Sequence, residues 1–247
     1  MTASRSPDGF AAPSTWPKRP ARLGAAVVDV LVDRIVSGEL EPGALLPTEP
    51  RLCEVFGMSR TVIREAIKIL EQKGLLRAKQ GQGTHVAMPD EWNLLDPMVL
   101  EASVRHDKDL HMLDNLVEVR RVLESEMARE AAVNATAEDR EEMRRLLGRL
   151  AADEATPERH MLTDVEFHDA IMRASRNRLG RAIVRTAHSE ARMSDRYNGY
   201  PERADCEASD TGHAQIYDRI AAGDPDGAAA AMSEHITGSW LARRREP

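Results

Sequence analysis

Residues 46–86 read LPTEPRLCEVFGMSRTVIREAIKILEQKGLLRAKQGQGTHV, a stretch that divides into a short helix, a tight turn, a basic helix and a Gly-containing hairpin. Pro47 and Thr48 supply a helix start, with Leu52, Val55 and Phe56 as its expected apolar stripe. Gly57 ends that segment in a turn. Ser59 is placed to cap the next helix, its hydroxyl accepting from the Val62 amide. In the second helix Val62, Ile63, Ala66, Ile67 and Leu70 recur at helical spacing and are expected to pack inward. Arg60, Arg64 and Lys68 recur every four residues on another side, with Thr61 beside them in the first turn. A first turn bearing Arg and Thr, laid in a major groove, reads base edges and phosphates. Past Gly74, residues 75–86 alternate around Gly81 and Gly83, which suits two short strands and a turn bearing Arg77, Lys79 and Gln80. This is the layout of a winged helix-turn-helix, three helices plus a small β wing, and it makes double-stranded DNA the expected partner.

A basic row on an amphipathic helix is often no more than a solvated face, so charge distribution has to decide. Residues 58–80 hold Arg60, Arg64, Lys68, Lys73, Arg77 and Lys79 against Glu65 and Glu71. The chain carries a net charge of −7, yet residues 1–88, with 12 basic and 9 acidic side chains, sum to +3 and the remainder to −10. A basic module on an acidic body suits binding to phosphates by counterion release.

The run LPTE…L…FGMSRTVIREAIKILEQKGLL…GQGTHV resembles the DNA-binding domain of the GntR superfamily of bacterial transcription regulators. The likeness extends from Arg22 to Val86 and includes the leading segment GAAVVDVLVDRIVSGELEPGALLP. It implies operator contacts from Arg60, Thr61 and Arg64 and an approach of the wing tip, Gln80–Gly81, to the minor groove; Lys68 continues the row. Many members carry an Arg directly after the Glu of the LP-x-E segment. This chain has Pro50 there and Arg51 one place later.

Residues 1–20, Pro- and Ser-rich without an apolar core, are expected to be a disordered tail rather than a signal peptide. The DNA-binding domain is expected over 21–88, a linker over 89–95, and a second domain over 96–241. In that second domain the periodicity predicts helices over 110–133, 137–152, 158–174, 179–197, 203–222 and 226–241, punctuated by Thr136, 153–157, Asn177 and Gly223-Asp224-Pro225. Aromatic residues make up only 4%, and the abundance of Ala, Leu and Met suits helices packed on helices, an all-α bundle. Met112, Met127, Met143, Met161, Met172 and Met232 are expected as core filling. No run of about eighteen apolar residues spans a membrane. Cys53 and Cys206 fall in different domains and form no disulfide framework. A cytoplasmic, nucleoid-associated protein is expected.

The bundle holds one chemical constellation. Asp164 and His168, four apart on one helix, share a face; His213 lies on a later helix and His235 on the last. Three imidazoles and a carboxylate form a ligand set suited to a divalent transition metal, Zn²⁺ first, with Ni²⁺, Co²⁺ and Mn²⁺ also accommodated. On spacing alone, such residues are more often surface or core pairs. The segments EVRRVLESEMAREAA (118–132), DVEFHDAIMRASRN (164–177) and HAQIYDRIAAGDPDGAAAAMSEH (213–235) resemble the all-helical FCD domain of the FadR-type subfamily. That resemblance implies metal ligation by Asp164, His168, His213 and His235. It also implies that Arg120 points into an effector pocket and holds a carboxylate bidentately; the bland alternative is a helix-surface ion pair with Glu124. Arg192 is a second candidate for that pocket, and Asn177 is expected to end a helix. The function implied is a homodimeric transcription regulator, a repressor released by a small organic acid, with a sugar acid as one candidate. A metal-ion sensor and a metal-dependent enzyme are the alternatives. No residue is arranged as a general base beside the metal, which argues against the enzyme.

Overall fold

The computed structural model describes residues 18–153, 156–191 and 203–244, with side chains over 24–152, 156, 159–188 and 207–244. The chain divides into two compact units at Asn93–Leu94.

In the first unit α1 (Lys18–Val36) buries Val27, Val28, Leu31, Val32 and Ile35, the 3–4 spacing of one helical face, and packs on the third helix. Its first turn includes Pro20, inside the segment expected to be a tail. Proline is tolerated there because first-turn amides have no intrahelical acceptor. α2 (Glu49–Phe56) is an eight-residue helix whose N-cap, Thr48, makes no side-chain cap bond. Leu52 is buried and Phe56, one turn on, half-buried, but Val55 is 52% exposed, contrary to the expected stripe. At about 100° per residue Val55 and Phe56 fall on opposite sides of Leu52, and it is the Phe56 side that is covered. Gly57 closes α2 at φ 64°, its amide returning to the Cys53 carbonyl, a left-handed conformation that costs glycine least.

α3 (Arg60–Gln72) begins as the sequence requires, with the Ser59 hydroxyl accepting from the Val62 amide at 3.4 Å. Ile63, Ala66 and Leu70 are buried, Val62 and Ile67 half-buried at the margins. β1 (Leu76–Lys79) and β2 (Gly83–Val86) pair antiparallel, Leu76 opposite Val86 and Lys79 opposite Gly83. The two buried partners at the base anchor the wing to the helices. Ile63 is fully enclosed, so Ile63→Ala is expected to cost roughly 2–5 kcal/mol, read as a lower denaturation midpoint. A change within about 0.5 kcal/mol would mean that α3 is not seated as described.

The second unit is a helical bundle: α4 (Pro97–Arg105), α5 (His111–Asn134), α6 (Ala137–Asp153), α7 (Pro157–Ala174), α8 (Arg178–Ala191), α9 (Arg203–Ala221) and α10 (Pro225–Arg243). α5 is its spine, packing against α10, α7, α8 and α9. The core includes Leu113, Leu146, Phe167, Ile171, Ile216, Met232 and Trp240. Met127 and Met143 are fully enclosed and Met172 is buried, while Met112 and Met161 are half-buried. Local chemistry sets the boundaries. Thr136 and Asp139 cap α6 reciprocally, and the Asp224 carboxylate accepts from the Gly227 amide at the start of α10. Asn177 does not end α7 as expected. Its side-chain oxygen accepts from the Gly180 amide at 3.0 Å and so starts α8. No helix among the described residues is long and apolar enough to cross a membrane.

Candidate functional site

Three helices of the bundle turn polar side chains into its apolar interior. Asp164 and His168 come from successive turns of α7, His213 from α9 and His235 from α10, and all four are buried. One donor atom from each lies within 4.8 Å of all the others. His168 Nε2 and His235 Nε2 are 3.2 Å apart, and His213 Nε2 lies 3.1 Å from Asp164 Oδ1. Phe167 packs edge-on against the His213 ring at 5.0 Å between centroids. Gly212 leaves room for His235, since a Cβ there would stand 2.7 Å from its Nδ1.

Around this cluster stand further carboxylates. Glu124 of α5 is 1% exposed; its Oε2 lies 2.6 Å from His168 Nδ1 and its Oε1 accepts from Arg120 Nε at 2.7 Å. Asp210 Oδ1 lies 3.5 Å from His213 Nδ1 and 2.9 Å from His160 Nε2. Burial alone would raise the Glu124 carboxyl, but Arg120 and His168 outweigh it and hold the group well below the usual carboxylate range. Asp164 likewise stays ionised against burial through His213 and His168. Burial pushes the His235 imidazole well below its ordinary value, helped by repulsion from His213 and His168. It is therefore neutral, with a lone pair to give. His213 goes the other way: burial would depress it, and Asp164 and Asp210 raise it.

These donors fit a transition-metal ion on two counts. Three imidazole nitrogens and one carboxylate oxygen are the ligand chemistry that Zn²⁺, Ni²⁺, Co²⁺ or Mn²⁺ takes. In addition, both ring nitrogens of fully enclosed His213 lack a well-aligned hydrogen bond despite the carboxylates nearby. An unpaired buried polar atom is costly unless something else satisfies it. Beside the cluster a cleft is lined by Arg120, Ser239, Trp240 and Arg243 together with Asp164, His168 and His235, and it encloses about 10 Å³.

In the first unit Arg60, Thr61, Arg64 and Lys68 are all exposed on α3, opposite the buried Ile63, Ala66 and Leu70. Gln80 and Gly81, with Gln82, form the exposed turn between the strands. Arg51 is exposed on α2 and paired with Glu54 at 2.9 Å, and Arg64 is 3.5 Å from Glu49.

Residues 23–86 match the family described as bacterial regulatory proteins, gntR family, and residues 115–238 match the FCD domain. The chain belongs to the GntR family, in its FCD-bearing branch. Among curated relatives, the galactonate operon transcriptional repressor of Escherichia coli K12 is 30% identical over 213 residues, covering 86% of this chain and 93% of that protein. The transcriptional regulator LutR of Bacillus subtilis 168 is 31% identical over 207 residues, covering 82% and 93%. A solved structure described as Lar, which controls the expression of the Listeria monocytogenes agr system, shares the fold at a TM-score of 0.58 and 18% identity, covering 94% and 99% of the two chains. These families and relatives are transcription regulators, not enzymes, and this GntR protein is a DNA-binding regulator.

Of the residues singled out from sequence, the four candidate ligands converge and Arg120 lines the cleft beside them. The ion pair of Arg120 with Glu124 also exists, but it is internal rather than on the helix surface. Arg192 lies outside the described residues, as does the Cys206 side chain. Glu124 was missed as a member of the site. Its signal lay in the periodicity of α5, where Leu113, Val117, Arg120, Glu124, Met127 and Ala131 recur at spacings of three and four. A charged pair on the buried stripe of a helix calls for a partner from another element. Sequence reading also missed the Asp210–His160 pair, for which no spacing rule existed.

Proposed function

We propose that this regulator represses transcription as a homodimer and lets go of its operator when a small carboxylic acid enters the cleft beside an ion-loaded Asp164/His168/His213/His235 cluster. The observation that carries the reading is the adjacency of a buried Asp/His₃ cluster to Arg120 on one cleft. Bound there, a divalent ion would supply a Lewis-acid contact for a carboxylate oxygen. Arg120, oriented by Glu124, would bring the opposing positive charge. The relative named as repressor of the galactonate operon points toward sugar acids and other hydroxy acids. The same reading gives Arg60, Thr61, Arg64 and Lys68 the operator contacts, with Arg51 beside them and Gln80–Gly81 at the minor groove, twice per dimer on half-sites about one helical turn apart. Acid binding acts by favouring a dimer arrangement whose modules no longer match that spacing. A cytoplasmic, nucleoid-associated location follows from the operator.

One observation favours a second reading, an ion sensor. A cleft of about 10 Å³ admits a single water-sized group and has to open before an organic acid fits, whereas an ion needs no such opening. The two readings separate in a titration of the protein on double-stranded fragments flanking its own gene, with chelator, Zn²⁺ and a panel of hydroxy and sugar acids added separately and together. Release by one acid only when Zn²⁺ is present is the expected result, and release by Zn²⁺ alone selects the sensor. Indifference to every combination sinks both.

A further inference from the structure

We propose that Glu124 is a positioning residue that couples the ion site to the acid-binding arginine, one carboxylate holding His168 and Arg120 at once; this rests on the function proposed above. Both oxygens of Glu124 are engaged, and by different elements. Oε1 accepts from Arg120 one turn back on α5, and Oε2 meets His168 Nδ1 from α7. The 2.6 Å contact suits an Nδ1–H of His168 donating to Glu124 Oε2, the tautomer we assign. That tautomer leaves the Nε2 lone pair turned toward His235 and the rest of the ligand set. A buried ion pair contributes little net stability over an apolar pair of the same shape. What it supplies at this place is geometry: the guanidinium and the imidazole cannot shift independently while one rigid carboxylate ties them. A change at His168 on gaining an ion therefore reaches Arg120, and by linkage an acid held on Arg120 alters ion affinity by the same factor.

The test uses the full chain and Co²⁺ as the probe, followed by its visible absorption and by calorimetric titration. In Glu124→Gln the amide has one acceptor and one donor. With its oxygen on Arg120, its NH₂ faces the His168 Nδ1–H; with its oxygen on His168, its NH₂ faces the Arg120 Nε–H. Co²⁺ affinity is expected to fall roughly 10–100-fold, the usual cost of losing such a partner. Arg120 is not a candidate ligand, yet Arg120→Gln is expected to shift Co²⁺ affinity by about fivefold or more, and to add nothing in the Glu124→Gln background. The ¹⁵N resonances of ion-free His168 should place the proton on Nδ1 in the wild type and lose that preference in Glu124→Gln. Unchanged Co²⁺ affinity in Arg120→Gln, or effects of the two changes that simply add, overturns the coupling while leaving the ion site standing. Should Glu124→Gln fail to fold, the Arg120→Gln titration decides alone. A wild-type chain that takes up no Co²⁺ overturns the ion reading and the coupling together.

Discussion

Replacing His213 by alanine is expected to strip the protein of its ion. His213 is fully enclosed, offers a nitrogen 3.1 Å from Asp164, and is the candidate ligand whose ring nitrogens find no well-aligned hydrogen bond among the described residues. Only three of the four converging donors would then remain to hold an ion. Metal content after dialysis against trace Zn²⁺ should fall from about one ion per chain to near zero. The stability readout is the increment that Zn²⁺ adds, not the melting temperature itself, because removing a buried ring also leaves a cavity. In the wild type, free Zn²⁺ at about 100 times its dissociation constant should add about 2.7 kcal/mol, a rise of several degrees; in His213→Ala the rise should vanish. The variant should also stay on operator DNA when acid and Zn²⁺ are supplied together. Retention of a full complement of ion would show that His213 is a core histidine and that the ligand assignment is wrong.

Removing Arg60 or Arg64 is expected to abolish useful operator binding with little change in stability. Both side chains stand on the exposed face of α3, so alanine there opens no cavity. Deleting an arginine that meets a base or a phosphate costs about 1–3 kcal/mol, and a dimer with two such modules incurs that cost twice. Arg60→Ala and Arg64→Ala should therefore bind a specific fragment roughly 30-fold more weakly or worse, with a flatter dependence of log affinity on log salt. Arg64 also stands 3.5 Å from Glu49, but an exposed pair of that kind is worth at most about 1 kcal/mol. A melting temperature that collapses in either variant would mean that the arginine is structural, and unaltered affinity would mean that α3 is not the reading helix.

The DNA-binding unit was legible because its punctuation is local. Gly57 can hold the left-handed turn, Ser59 can cap, and the apolar positions of α3 repeat at one period, so a short window contains all that is needed. The bundle helices were legible for the same reason, with Thr136 and Asp224 acting where the sequence placed them. What escaped depended on partners remote in sequence. Arg120 and Glu124 are four apart, a spacing identical on a wet face and an internal one; the arrival of His168 from α7 settles which it is. Asp210 reaches His160 across two helices, a distance that no periodicity encodes. Val55 failed by angle rather than by type, since it lies on the side of Leu52 away from Phe56, where it is left exposed.

The candidate ligands span α7 to α10, and the last of them, His235, sits late in the sequence, whereas the reading helix ends at Gln72. Domains fold largely in the order in which the ribosome releases them. On the proposed function, the part of each nascent copy that reads the operator is therefore finished before the part that would switch it off.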